Sequence, residues 1–427
     1  MSLFFAELRK IWGGRVFPVL LAILASANLL LLWMGTRPTA KQPPASAYRV
    51  VGAELTGKTM EEKGSYLHDK YTEIESLVKI GQYYREMAYG GYGLSQYRQD
   101  NAAMFDAYEQ EYNDKSYTLF TDDLNIEYRL FSQLQSEYDT VAAYNDFLEG
   151  VQTKATQLSG ISIFQNDRTG YDLKNIELTA QVYAGLADTP IEYYPQKGLY
   201  TAISYAFTDL ILLAAMLLLA LCFSGLFAME RKGGMDEILT CTPLGRKYTV
   251  KAKLRQSTAV AAVISFGTVL PHLWQVLRDY GLPSLLGPAM SISDLQAVPK
   301  FITLSDLLIF WLICRFAACL CMSRITLWLG QKLGNLLTAL FISVVAYCLP
   351  ALLSLSGMKN GIEWLGFYPL FHAAALWQNQ GYNANGESYN AMWIPIFLVC
   401  AAFFLAWAIG QALMDDYDMI GVPDEVL

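Results

Sequence analysis

Six long apolar runs limit what this chain can fold into. They lie near residues 16–34, 205–228, 257–277, 303–329, 335–356 and 391–413. Each is about 19–27 residues long, and at about 1.5 Å per helical residue each crosses roughly 30 Å of hydrocarbon. Backbone N–H and C=O groups find no water there, so each run must satisfy its own as a helix. Of 427 residues, 54% are hydrophobic and only 16% charged, whereas a soluble domain carries about a quarter charged residues. The expected fold is an all-α polytopic membrane protein. It has six transmembrane helices and a helical extracytoplasmic domain, residues 37–200. Residues 1–15 precede the first span (16–36), and residues 201–427 hold the other five.

The first run is too long for the roughly 7–15-residue core of a signal peptide, so it is expected to stay as an anchor. Orientation follows from lysine and arginine. Arg9, Lys10 and Arg15 precede the first span. Arg231, Lys232, Arg246, Lys247, Lys251, Lys253 and Arg255 lie between the second and third. The insert carries 15 basic and 24 acidic side chains, a net charge of about −9. The basic ends are therefore expected in the cytoplasm of a plasma-membrane protein, with both termini inside and residues 37–200 outside.

Within the insert, Leu67, Tyr71, Ile74, Val78, Gly81, Tyr84 and Ala88 recur at helical spacing, as do Phe131, Leu134, Tyr138, Val141, Tyr144, Leu148, Val151, Ala155 and Leu158. Adjacent glycines in "YGGYG" (89–93) break the pattern. A shorter stretch, Ile176 to Leu186, leads toward the second span. These patterns predict an antiparallel helical hairpin with smaller helices beside it. Of 27 tyrosines, 19 lie in residues 37–200. Tyrosine suits both a slim bundle with a wet-edged core and a ligand-binding face.

Residues 52–59, "GAELTGKT", fit the phosphate-cradling pattern G-x-x-x-x-G-K-[ST] after a β-prone run, Tyr48, Val50 and Val51. No second nucleotide-site element accompanies it, and Lys58 falls outside the cell. The match is expected to be accidental. Thr59 followed by Glu61 and Glu62 reads instead as a helix start.

The seven cysteines lie in or near spans and read as small packing residues. Three charges interrupt the apolar runs. Arg324 is near a span end and can snorkel. Asp209 sits near the outer end of the second span. Arg315 is deepest, and is open to two readings, an ion pair or part of a substrate path. Asp209 and Arg315 are the candidate transmembrane polar site. His68, His272 and His372 lack metal-ligand spacing, and no nucleophile–base set is visible. Residues 278–302 are too short and polar to span, and sit at the interface or re-enter.

The loop 229–255 includes "MERKGGMDEILTCTPLGRKYTVKAKL". Gly233 and Gly234 break the second span's helix, "MDEILTC" suits one short helix, and Pro243 with Gly245 stops it. Glu230, Gly234, Leu239, Pro243 and Arg246 match the pattern E-x-x-x-G-x-x-x-x-L-x-x-x-P-x-x-R. With "SLFFAELRKIW" as an amphipathic leading helix, this resembles the membrane subunit of an ATP-binding-cassette (ABC) transporter of the type-2 exporter class. "ISIFQN", "RDYGLPSLLGPAMSISDLQ" and "SRITLWLGQKLGN" resemble a Gram-positive bacterial subgroup with a large outer domain between the first two spans.

The resemblance implies a permease that is not itself an enzyme. It implies separate cytoplasmic ATPase subunits that hold ATP and magnesium, a second permease half, the same or homologous, and contact with membrane lipid. No cofactor or metal in this chain, and no nucleic-acid partner, is expected. The cargo class implied is an exported amphipathic peptide, lipid or drug-like molecule. The expected ATPase-coupling residues are Glu230, Arg231, Lys232, Gly234, Met235, Glu237, Leu239, Pro243 and Arg246. The competing reading is a receptor or signalling scaffold that senses a peptide through its outer domain. A membrane-embedded enzyme is disfavoured because no acid–base cluster lies in the spans.

Overall fold

The computed structural model describes residues 3–13, 16–36, 43–91, 93–119, 122–159, 181, 184–186, 192–196, 198–200, 209–241, 245–281, 283–292, 295, 302–355, 370 and 394–418. Regular structure among them is helical, apart from one isolated bridge between Pro288 and Thr303.

Among the described residues, five helices are long and apolar enough to cross a membrane, which makes the chain a multi-pass membrane protein by length and composition. They occupy Phe17–Met34, Leu213–Lys232, Lys247–Tyr280, Leu304–Leu333 and Ile396–Asp415. The expectation was six. The remaining apolar helix, Leu336–Leu355, carries a shorter apolar stretch, Leu336–Pro350.

In chain order the elements are α1 (Leu3–Trp12), α2 (Val16–Thr36), α3 (Ala45–Leu55), α4 (Met60–Ala88), α5 (Leu94–Asp100), α6 (Ala102–Leu119), α7 (Asp122–Ala142) and α8 (Tyr144–Ser159). Then follow α9 (Asp209–Ser224), α10 (Leu226–Lys232), α11 (Met235–Thr240), α12 (Gly245–Tyr280), α13 (Pro283–Leu286), α14 (Leu304–Leu333), α15 (Leu336–Leu355) and α16 (Ile394–Asp418).

The apolar bundle is built around α14, which packs against α9, α12, α15 and α16. Its sequence explains why. Cys314, Ala317, Ala318, Cys319 and Cys321 are fully buried, and small side chains let neighbouring backbones approach closely where lipid offers no hydrophobic drive. Gly330 marks the closest approach, since a Cβ there would come within 2.7 Å of the Ser224 carbonyl oxygen on α9. Thr303 and Asp306 form a capping box at the start of α14, and Gly334 ends it at φ 63°. Large residues fill the remaining space, with Trp311 fully buried beside Tyr200 at 6.1 Å between ring centroids.

The insert is a long hairpin. Helix α4 has 29 residues, about 43 Å at 1.5 Å per residue. Its start meets the end of α7, where the Tyr138 hydroxyl donates to the Met60 carbonyl at 3.1 Å. Farther along, Tyr71 stacks on Tyr128 at 5.9 Å, and Tyr84 on Tyr112 at 5.6 Å. Numbers rise on α4 as they fall on the partner, so α6 and α7 run antiparallel to it. Beyond Ile74 the buried line moves to Leu77, Ile80 and Tyr83, where α6 replaces α7 as the partner. The expected stripe through Tyr71, Val78 and Tyr84 is only partly buried for that reason.

The second stripe, read as continuous from Phe131, is divided at Ala143. Phe131, Leu134 and Val141 join the hairpin core, while Tyr144 and Leu148 join Leu186 and Met290. Val151, Ala155 and Leu158 have side chains outside the described residues, as does most of the stretch 176–186. Tyrosines stack on one another throughout the hairpin, which favours the packing reading for most of them.

The phosphate-loop resemblance dissolves. Tyr48, Val50 and Val51 are in helix α3, not a strand. Gly52 belongs to that helix, and Gly57 adopts φ 80° in the turn that follows. Thr59 caps α4: its hydroxyl accepts from the Glu62 N–H at 3.3 Å, and Glu62 accepts from the Thr59 N–H at 2.8 Å. Donation from the Thr59 N–H first, then from its hydroxyl, holds the Glu62 carboxyl below its ordinary range. Lys58 sits 4.2 Å above the Tyr66 ring.

The hairpin is seated on one end of the bundle, the insert end. Tyr48 lies 5.7 Å from Tyr280 at the end of α12, and its hydroxyl donates to Gln133 of α7 at 2.8 Å. Residues 192–196 thread between the two parts. The Tyr193 hydroxyl donates to the Leu134 carbonyl at 3.2 Å, and Ser291 donates to Gln196 at 2.5 Å. Residues 283–292 therefore neither span nor lie loose. They fold as α13 and a 3₁₀ turn, with Ala289, Met290, Ser291 and Ile292 buried in protein.

Lys63 secures this junction. Its buried ammonium donates to Glu192 at 2.6 Å and to the Tyr193 carbonyl at 3.2 Å. That hydrogen bond lowers the Glu192 carboxyl below its usual value. A carboxyl with a depressed folded pKa stabilises fully above its unfolded value, about 4.3 for Glu. The contribution is lost as pH falls through the lower folded value. Protease resistance of the hairpin in the full chain should therefore drop on acidification below about pH 4.3, and drop less steeply in Glu192→Gln. Lys63→Ala, which leaves the Tyr193 carbonyl unsatisfied, should cost about 1–3 kcal/mol at neutral pH. Equal protease resistance of Lys63→Ala and wild type would refute the assignment.

Candidate functional site

Helices α1, α10 and α11 gather at the opposite end of the bundle, with the start of α12. The ends of α14 and α16 reach the same region, for Gly334 lies against Arg231, and Gly410 against Arg324. Arg9, Lys10, Arg231, Lys232, Lys247, Lys251, Lys253 and Arg255 all belong to these segments, so this is the basic end.

A four-charge cluster, buried except at Lys10, holds it together. Glu230 on α10 accepts from Lys10 of α1 at 2.7 Å and makes an ion pair with Lys253 of α12. Lys10 also pairs with Glu7 at 2.5 Å. Lys253 is wholly buried, lies 3.9 Å above the Phe227 ring and donates to the Leu226 carbonyl at 3.4 Å. Gln256 of α12 donates to the Glu7 carbonyl at 3.0 Å. Three helices distant in sequence are thus tied by two ammonium and two carboxylate groups. For Lys10, partial burial lowers the ammonium, but its bonds to Glu230 and Glu7 outweigh this and hold it above its ordinary value.

From this base α11 projects between α10 and α12. Gly233 caps α10, and Gly234 takes φ 66°, where a side chain would be strained. The chain reverses there and exposes an apolar surface. Met229 is 63% exposed, Ile238 65% and Met235 46%. Arg231 and Lys232 flank it and are exposed, and Leu239 is half-buried. Glu237 lies on α11 and Arg246 in the first turn of α12, with side chains outside the described residues. Pro243 lies outside them altogether.

Of the expected coupling residues, the structure brings Arg231, Lys232, Gly234 and Met235 to one surface. Glu230 is not part of that surface. Its charge is turned inward, onto Lys253. The sequence reading also missed Glu7, Lys253 and Gln256. A lysine inside a basic run looks like any other, and only the fold shows which one faces the interior.

Arg315 is fully buried in α14. It acts electrostatically on His272 of α12 and on Cys319. His272 Nε2 lies 3.2 Å from Asn28 Oδ1, and Asn28 of α2 donates to the Thr268 carbonyl at 2.9 Å. Asn28, Thr268 and His272 form a polar layer between α2 and α12. Asp209, the other candidate, begins α9 at the insert end, with its side chain outside the described residues. The two candidates therefore start from different levels, and the layer instead recruits Asn28, which with Ser26 interrupts an otherwise apolar run.

The cluster's role can be measured. Glu230→Ala strands a buried ammonium and should destabilise the basic end by about 3–5 kcal/mol. Glu230→Ala combined with Lys253→Met should recover part of the loss, because no unpaired charge remains. Thermal unfolding of the full chain in detergent gives both values, and purely additive losses would contradict a direct pair.

Comparison of the chain with protein-family models, curated proteins and solved structures found no match.

Proposed function

We propose that this chain is the permease subunit of an ATP-driven ABC transporter. The observation that carries this reading is α11. A short helix with exposed Met235 and Ile238, flanked by Arg231 and Lys232, is held on a charge-locked base between two apolar helices. An exposed apolar patch with a basic rim suits a protein partner. The proposed partner is a soluble ATPase, which holds ATP and magnesium. A push on α11 passes to α10 and, through Glu230, to α1 and α12 together. A second permease half, with helix α15 as the sixth span in each, completes the pathway. Basic residues concentrated at this end support a cytoplasmic placement under the positive-inside rule, with the acidic hairpin outside. The cargo is the class that the family resemblance implies, an amphipathic peptide, lipid or drug-like molecule moved outward past the hairpin.

Arg231 touches the end of α14 as well, so Ile238→Asp with Lys232→Glu is the cleaner test. Purification of the full chain from its native membrane should bring an ATPase with it. The double variant should lower that recovery at least about tenfold, near 1.4 kcal/mol or more, with thermal stability unchanged. Recovery of a histidine kinase and no ATPase would favour the receptor reading instead.

The turn at Lys58 supplies a second test. Lys58→Ala should leave the ATPase activity of the purified complex unchanged. Loss of nucleotide binding in that variant, with the ATPase subunit intact, would reverse the proposed topology.

A further inference from the structure

A cavity of about 290 Å³ lies between α12, α14 and α16 toward the basic end, lined by Leu254, Leu320, Arg324, Phe403, Trp407 and Met414 among others. This is near the lower end of the roughly 300–1,000 Å³ of ligand sites. Arg324 is the one charged residue in the lining. Its Nε donates to Ser257 Oγ at 2.9 Å, and its Nη2 to Thr258 Oγ1 at 3.2 Å and the Leu254 carbonyl at 3.4 Å. All three acceptors are neutral, and no carboxylate among the described residues lies within ion-pair distance of it. Gly410, which also lines the cavity, leaves room beside Nη1, since a Cβ there would come within 2.5 Å of it.

A guanidinium in apolar surroundings without a counter-charge is costly, and a bidentate anion satisfies it best. The surroundings select the anion. Trp407 lines the cavity and is 59% exposed, and Phe404, also exposed, lies beside it with ring centroids 5.9 Å apart. On the membrane reading, on which this inference rests, that face meets lipid. Arg324 lies nine residues before Leu333, the end of α14, about 14 Å along the helix. A half-buried cation near the headgroup level, beside a tryptophan and an apolar wall, has the chemistry of an anionic lipid site. We propose that the cavity binds one anionic phospholipid, its phosphate on Arg324 and an acyl chain along Phe403 and Trp407.

The test uses the purified full chain in mild detergent, equimolar dioleoyl phosphatidylglycerol and phosphatidylcholine, and native mass spectrometry. One phosphatidylglycerol should be retained with about tenfold preference. Arg324→Gln should bring the preference close to one, and Arg324→Lys should keep part of it. Ala406→Leu, which fills the cavity without touching the charge, should reduce retention and decides the matter if Arg324→Gln does not fold. Millimolar inorganic phosphate should not displace the lipid. No preference in wild type, or the same preference in Arg324→Gln and Ala406→Leu, would overturn the proposal. Displacement by phosphate would mark a site for free anions, and a dimer that covers Trp407 and excludes lipid would mark a protein interface; either overturns it. Flotation of the full chain with liposomes tests the membrane reading separately.

Discussion

Everything in this structure follows from the need to satisfy backbone hydrogen bonds where water is absent. The long apolar segments are helices because only a helix closes its own N–H and C=O groups. Their connections are pushed to the two ends of the bundle. One irregular segment among them, residues 283–292, sits under the hairpin and is covered by Tyr144, Leu148, Tyr194 and Gln196. Helix α14 can then act as the central post. Its small side chains bring four other helices close, and packing replaces the hydrophobic drive that lipid does not supply.

At the basic end the problem is different. Charges belong there, but three helices must also be held at fixed angles. The cluster of Glu7, Lys10, Glu230 and Lys253 does both. Placing Lys253 wholly inside is expensive, and it is tolerable because a carboxylate, a carbonyl and an aromatic face all meet its ammonium. Such a pair adds little net stability against an apolar substitute, but it fixes relative orientation. Orientation is what a projecting helix such as α11 requires if force applied to it is to move α10, α12 and α1 as one body.

The sequence made the apolar helices legible because length and hydropathy act over twenty residues at a time. The capping box at Thr59 and the break at Gly90–Gly93 were legible from local chemistry. Three things were not. The split of α7 from α8 at Ala143 has no glycine or proline to announce it, and is set by two different partners, α4 on one side and Met290 on the other. The helix at Ala45–Leu55 overrode β-prone side chains because Tyr48, Val51 and Leu55 face one core, which is tertiary context prevailing over propensity. Glu230 matched a motif position, yet the motif did not say that its charge is turned inward.

The two ends of the molecule are not independent. Helix α12 has 36 residues, about 54 Å, and it touches both centres of order: Lys253 and Gln256 near its start, and Tyr280 at its end. Tyr280 meets Tyr48, which in turn bonds Gln133 of the hairpin. The Arg278 carbonyl accepts from Arg49. Beyond its midpoint, Thr268 and His272 join α12 to Asn28 of α2. On the proposed function, a displacement of α11 would reach the hairpin by this one continuous helix. Pro271 is the point where that transmission is most compliant, because it removes a backbone donor in the very turn that carries the polar layer. The layer lies in the same turn as that missing bond, and it ties the turn to α2 through Asn28.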